Sequence, residues 1–236
     1  MLAGLLVAAC AIARGAAAAE PGDAAVAPSV PAADRHPDLT RLSPTAEIWV
    51  DRVRKEVVVG ATVVLDEGPI EVFACPAGTK EHEAVVATKA PGRLIHAALL
   101  AIGLDPGGPV SFRPDYTPAH GAKVAVRARW RDSEGVARES RAQDWIRNAT
   151  TGEPLAADWV FAGSSLWRDP QDGTTRYEAD GGDLICVSNF PTAMLDLPIE
   201  SSQANDELLF EVFAGRVPPR GTAVDLVLGP LGPDRR

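Results

Sequence analysis

Short extended runs separated by turn residues recur through most of this 236-residue chain. The clearest run is residues 122–130, where Lys123, Arg127 and Arg129 alternate strictly with apolar side chains. A period of two is typical of a strand with one buried face. The 21 Gly and 20 Pro residues favour many turns and short elements over long helices. The sequence therefore predicts a fold made mostly of strands.

One helix is predicted at about residues 91–102. Pro91 suits a first helical turn and Gly103 suits a C-terminal cap. The stretch LIHAALLAI between them is apolar on every face except at His96, and a helix that is apolar all round is normally buried. The predicted fold class is α+β, mostly antiparallel β with one buried helix packed on a sheet.

The net charge of the chain is -9, from 23 basic and 32 acidic side chains. This is the wrong sign for a protein that grips phosphate backbones or anionic lipid. Nucleic acid is therefore not an expected partner, and contact with a membrane is expected only through an N-terminal lipid anchor.

The N-terminus predicts export to the periplasm or cell envelope. Residues 2–13 are apolar and uncharged, which is the length of a signal-peptide core and too short to span a bilayer. Residues 1–19 are thus a signal peptide or a lipoprotein leader. Two processing schemes remain open: Ala-x-Ala cleavage before Glu20, or a lipobox at residues 7–10 that makes Cys10 a lipidated N-terminus.

The rest of the chain divides into three predicted parts. Residues 20–45 are rich in Ala and Pro without an aromatic side chain, so they form a tether in which His36 is a solvated residue. Residues 46–229 form a single β-rich domain, and residues 230–236 form a flexible tail.

Apart from Cys10, the chain has only Cys75 and Cys186, both in apolar strand-like runs. Three interpretations stay open: a disulfide formed in an oxidising compartment, two free core thiols, or a metal or redox role. The sequence does not place the two side chains relative to each other.

The leading candidate site is the segment around His82, which we expect to face the interior. Five reactive or charged side chains crowd there: Cys75, Lys80, Glu81, His82 and Glu83. His82 and Glu83 begin an H-E-x-x-H zinc motif, but Val86 stands at the second ligand position. Zinc or a similar metal remains an alternative at four residues if the fold gathers them: Cys75, His82, His96 and Cys186.

Two further segments are better explained as turns. Ser164 and Ser165 follow Gly163, but Trp167 replaces the second glycine of a G-x-S-x-G nucleophile motif. The acidic residues 169–183 lack the order of an EF-hand and contain the Asp-Gly pairs of hairpin loops. No catalytic or cofactor-binding residue is therefore assigned.

Four segments together resemble the YdjY-domain family of bacterial proteins: FACPAGTKEHEAVV, HAALLAIGLDPG, WVFAGSSLW and ADGGDLICVSNFPTAMLDLPIESSQANDELLFEVF. The resemblance covers about 180 residues and implies no established activity. Some relatives carry a separate ferredoxin-like iron-sulfur region. This chain has three cysteines and no C-x-x-C, so an iron-sulfur cluster held by four cysteines is not expected here.

Two hypotheses of function follow. The first is an exported envelope protein that acts as a binding or interaction module for an unknown ligand or partner. The second is a metal- or thiol-dependent enzyme or redox protein centred on the same four Cys and His residues.

Overall fold

Strands dominate the computed structural model, which describes residues 34–201 and 209–232. Within these ranges there is one α-helix, α1 (Gly92–Ala101), and three short 3-10 helices at Glu81–Glu83, Ala142–Trp145 and Glu178–Gly181. The strands are β1 (Thr40–Arg41), β2 (Ile48–Asp51), β3 (Glu56–Val63), β4 (Val72–Pro76), β5 (Ala84–Thr88), β6 (Pro106–Gly108), β7 (His120–Gly121), β8 (Lys123–Arg131), β9 (Ala137–Arg141), β10 (Ile146–Asn148), β11 (Trp159–Phe161), β12 (Leu166–Arg168), β13 (Thr175–Tyr177), β14 (Ile185–Cys186), β15 (Leu195–Asp196), β16 (Phe210–Val212) and β17 (Ala223–Pro230).

The main sheet closes on itself into a barrel, which makes the predicted α+β class, with one buried helix packed on a sheet, wrong. Eight strands form the closed barrel, in the order β3, β17, β8, β11, β15, β14, β4, β5 and back to β3. Neighbours are antiparallel except for the pairs β14–β15 and β4–β5. The pairing of β3 with β5 thus closes the barrel, and the β-rich expectation is confirmed.

Closure depends on the length of β3. One edge of β3 pairs first with β2, from Glu56 to Val59, and then with β5 through residues 61–63. Its other edge pairs with β17. The sequence EVVVGATV is buried at every position except Thr62. A run of residues buried on both faces is typical of a central strand. Its sequence pattern does not show which other strands pair with its two edges.

Aromatic side chains fill the main core. The Phe73 ring lies 5.8 Å from the ring of Trp159 and 6.2 Å from that of Trp145. Trp159 Nε1 donates a 2.7 Å hydrogen bond to the carbonyl oxygen of Cys186, so its polar atom is satisfied in the core. Full burial of one such ring contributes about 2 to 3 kcal/mol of hydrophobic free energy.

Helix α1 lies close to the predicted bounds but is buried on one side only. Ile95 and Leu99 are buried, whereas Arg93 is exposed and Leu100 is 44% exposed. Ile95 lines a small apolar cavity together with Val59 and other barrel residues. The expectation of burial all round is therefore wrong, because one face of an otherwise apolar helix covers the barrel and the other meets solvent.

The two ends of α1 are fixed by backbone contacts. The N–H of Gly92 donates a 2.5 Å hydrogen bond to Asp180 Oδ1. A Cβ on Gly92 would lie 2.6 Å from Leu184 Cδ2, so only glycine fits this approach. At the other end Gly103 has a φ of 88° and its N–H bonds the carbonyl of Leu100, as the predicted cap requires.

The segment before β2 packs on the outside of the barrel. His36 Nε2 lies 3.1 Å from Asp225 Oδ2, and its ring meets Trp49 edge-on at 4.7 Å. The expectation that His36 is a solvated residue is wrong, because Trp49 offers it an apolar surface. The described residues from His36 onward belong to one compact unit, and no helix in the described part of the chain has the length and apolarity that a bilayer crossing needs.

Candidate functional site

Cys75 and Cys186 lie in one small buried cluster as free thiols. Their strands, β4 and β14, are neighbours in the barrel. Burial raises the pKa of Cys75 to about 11 and also raises the pKa of Cys186. The thiolate is the reactive form of cysteine, so both side chains are poor nucleophiles near neutral pH.

The two histidines of the candidate site occupy different surroundings. The side chain of His82 is 78% exposed on its 3-10 helix, so the expectation that it faces the interior is wrong. His96 is partly buried, and its Nδ1 lies 3.0 Å from the hydroxyl of Tyr177. Tyr177 donates its own proton to the carbonyl of Gly163, so His96 donates to Tyr177. Burial lowers the pKa of His96 and favours the neutral ring.

The structure does not assemble the predicted metal set. Within residues 34–201 and 209–232, no group of three or more His, Cys, Asp and Glu side chains is arranged to hold a metal. Cys10 lies outside the described residues, so its lipidation stays a prediction.

The Ser164 hydroxyl links two parts of its loop. It has a φ of 56°. Its hydroxyl donates to the carbonyl of Thr192 at 2.7 Å and accepts from the N–H of Ala179 at 3.1 Å. In the acidic loop, Asp169 and Asp172 accept backbone N–H groups of their own turns and contact Arg176. These contacts account for both segments as turns.

One polar group, the Lys80 cluster, consists of Lys80, Glu83, Asp183 and Glu71. Lys80 Nζ lies 3.4 Å from Glu83 Oε1 and 3.2 Å from Asp183 Oδ1. Thr192 donates a further hydrogen bond to Asp183 Oδ2 at 2.5 Å. Burial raises the pKa of Glu71, and the neighbouring Glu83 raises it further. Lys80 is therefore shared by two carboxylates, Glu83 and Asp183, with Glu71 as a third acidic group nearby.

An open cavity of about 520 Å³ lies beside α1 and the β12–β13 hairpin. We call it the Trp167 groove, and its lining includes Arg93, Trp167, Thr174, Thr175, Arg176 and Thr192. The Trp167 side chain is 44% exposed. The groove carboxylates are engaged, since Asp180 accepts the Gly92 N–H and Glu178 accepts the Ser165 hydroxyl. Among the described residues Arg93 has no ion-pair or hydrogen-bond partner.

Another polar group, the Asp196 cluster, consists of Tyr116, Asn189, Asp196 and Ser201. Asp196 is fully buried, and its Oδ1 accepts from Asn189 Nδ2 at 3.2 Å and from the Leu197 N–H at 2.8 Å. Asn189 Oδ1 accepts the Ser201 N–H at 2.8 Å. Burial raises the pKa of Asp196 to about 7, against the effect of these hydrogen bonds.

The profile of the YdjY domain matches residues 48–229, which is most of the chain. The chain belongs to the YdjY domain family. No curated protein and no solved structure matches it. The matched range contains all three polar groups, so the Lys80 cluster, the Trp167 groove and the Asp196 cluster are parts of the YdjY domain itself.

Sequence reasoning missed the Asp196 cluster and the Trp167 groove of this YdjY domain. Asn189 and Asp196 interrupt the apolar run LICVSNFPTAMLDL, and polar residues in such a run are a signal of buried polar contacts. In the sequence, Trp167 was noted only because it replaces the second glycine of the G-x-S-x-G motif. The position of Arg93 gave no signal, because its surroundings depend on a hairpin more than seventy residues away in the sequence.

Proposed function

We propose that this YdjY-domain protein is an exported binding module of the cell envelope, and that its ligand binds in the Trp167 groove. The exposed indole of Trp167 beside the unpaired guanidinium of Arg93 is the observation that carries the proposal. Tryptophan and arginine dominate the binding energy of protein contact surfaces, because each combines a large flat area with polar atoms.

A saccharide chain of the envelope is the ligand class that suits the groove. A sugar ring has one apolar face that can stack on the Trp167 indole. Its hydroxyl groups need hydrogen-bond partners, which the hydroxyls of Thr174 and Thr175 and the guanidinium of Arg93 offer. An open groove of mixed polar and apolar surface with one exposed indole fits such a ligand, which has an apolar ring face and polar hydroxyl groups.

The leader sequence supports the location. An uncharged apolar stretch at residues 2–13, followed by small residues and containing Cys10, has the features of exported proteins and of lipoproteins. Cell fractionation tests this part: we expect the full chain in the envelope, whereas unprocessed protein found only in the cytoplasm would contradict export. Cys10→Ala then separates the two processing schemes, because only a lipid-anchored protein is released by it.

A thiol- or metal-dependent activity finds less support in the geometry. Cys75 and Cys186 are buried with raised pKa values, and His82 points to solvent. His96 contacts Tyr177 and Phe161. These side chains have surroundings that suit structural roles.

Co-sedimentation with purified peptidoglycan sacculi tests the proposed ligand. We expect the wild-type protein to pellet with sacculi and Trp167→Ala to bind about thirtyfold more weakly, the effect of losing one tryptophan at a binding hot spot. Leu166→Ala is the matched control, because Leu166 is 71% exposed on the same hairpin but does not line the groove.

Leu166→Ala should bind within about twofold of the wild type, as expected for residues outside a hot spot. Absence of wild-type binding, or equal losses in both variants, would contradict the proposal.

A further inference from the structure

The Asp196 cluster contains two buried oxygens without partners. Among the described residues neither Asp196 Oδ2 nor Ser201 Oγ has a hydrogen-bond partner, although Asp196 is 0% and Ser201 is 1% exposed. Buried polar atoms are nearly always satisfied in folded proteins, and a carboxylate oxygen is among the costliest to leave alone. These two atoms therefore point to a bound group that contributes the missing contacts.

The local charge is negative and uncompensated. Within the described part of the chain, no Lys, Arg or His pairs with Asp196. Asp183 acts on Asp196 electrostatically, and Glu200 and Asp196 both act on the hydroxyl of Tyr116. A buried carboxylate in such a field is stabilised by a positive ligand.

Asn189 contacts both residues that carry the unpartnered oxygens. Its side-chain N–H donates to Asp196 Oδ1, while its carbonyl oxygen accepts the N–H of Ser201. The Tyr116 hydroxyl also donates to Asn189 Oδ1, at 3.4 Å. One amide thus links Asp196, Ser201 and the partly buried Tyr116, and the neighbouring Glu200 is exposed at the surface.

We propose that the Asp196 cluster binds a divalent cation of the calcium type. Asp196 Oδ2, Ser201 Oγ and the carboxylate of Glu200 are the oxygen ligands within this segment, and backbone carbonyls or water complete the shell. Calcium binds carboxylate, hydroxyl and amide oxygens in flexible geometry. The cluster offers oxygen atoms only, which disfavours zinc because zinc prefers nitrogen and sulfur ligands. This site is separate from the Trp167 groove and does not depend on saccharide binding.

Isothermal titration of the EDTA-treated full chain with calcium chloride tests the proposal. We expect one equivalent of calcium to bind with a dissociation constant in the micromolar to millimolar range of extracellular sites. Asp196→Asn keeps the shape of the side chain and should abolish the binding. Asp172→Asn is the matched control, because Asp172 is an acidic residue of the 169–183 loop outside the cluster.

Ser201→Ala provides a second variant that leaves the carboxylate intact, and it should weaken calcium binding about tenfold. Unchanged binding in Asp172→Asn, with loss in the other two variants, would support the site. Absence of calcium binding to the wild type at millimolar concentration, or equal binding to Asp196→Asn, would overturn the proposal.

Discussion

Two buried aspartates of the same segment, Asp183 and Asp196, have opposite surroundings. Asp183 is 7% exposed and has Lys80 at 3.2 Å and the hydroxyl of Thr192 at 2.5 Å. Asp196 is fully buried, its Oδ1 accepts hydrogen bonds from Asn189 and Leu197, and it has no cation beside it among the described residues. Both aspartates are buried, and they differ in the groups that contact their carboxylates.

This difference separates structural charges from charges that are left for a ligand. In the Lys80 cluster, Lys80 is paired with Glu83 and Asp183, so these groups contribute to the fold and have little to offer another molecule. The Asp196 carboxylate and the Arg93 guanidinium lack such partners and lie in different places, one closed and one open. We therefore expect ligands at the groups without partners.

Removing the cation of the Lys80 cluster should have the largest effect on stability. Lys80→Met keeps the aliphatic stem that packs against Gly182 but leaves Asp183 and Glu83 without their positive partner. We expect a loss of about 2 to 3 kcal/mol in the free energy of unfolding, measured by urea denaturation.

Lys89→Met is the control for that experiment, because Lys89 is exposed and has no ion-pair partner among the described residues. Its effect should stay within about 0.5 kcal/mol, as is usual for surface substitutions. Similar losses in the two variants would show that the Lys80 cluster does not hold the fold.

The Asp196 cluster should make stability fall as pH rises. The pKa of Asp196 is about 7 in the folded protein, against about 3.9 for an unfolded aspartate. Between these values the folded state keeps a proton that the unfolded chain has lost. The stability from this group is therefore complete below about pH 4 and is lost as the pH rises through about 7.

Asp196→Asn removes that titration without changing the shape of the side chain. In buffer with EDTA, we expect the variant to be more stable than the wild type at pH 8 by about 2 kcal/mol, with the difference vanishing near pH 4. Urea denaturation across this pH range measures it. Parallel pH profiles for the two proteins would show that the Asp196 carboxyl is not perturbed by burial.

Sequence reasoning identified the parts of this fold that depend on neighbours along the chain. The alternation of β8 is confirmed, with Val124, Val126 and Ala128 buried and Lys123 exposed. The helix between Pro91 and Gly103 and the family are confirmed as well. These features have periods, caps or motifs that a short window contains.

Closure of the sheet and the partners of the charged groups were beyond that reasoning. The barrel requires β3 to pair with β5 and β17, strands from distant parts of the sequence. Whether a buried carboxylate has a cation beside it, as Asp183 has Lys80, or none among the described residues, as Asp196, depends on which side chain another strand or loop brings near. The segment from Cys75 to Glu83 was the leading candidate site because of its residue types alone. In the structure Cys75 is buried, Lys80 and Glu83 are paired, and His82 is exposed.

Chemical-shift mapping tests directly whether a saccharide binds in the Trp167 groove. The isotopically labelled protein is titrated with soluble glycan fragments that a muramidase releases from peptidoglycan. The account predicts shifts at the Trp167 indole N–H, at the Arg93 guanidinium and along residues 174–177, with Lys80 and its carboxylates unaffected. Shifts confined to residues 75–83, or no shifts at saturating fragment concentrations, would contradict it.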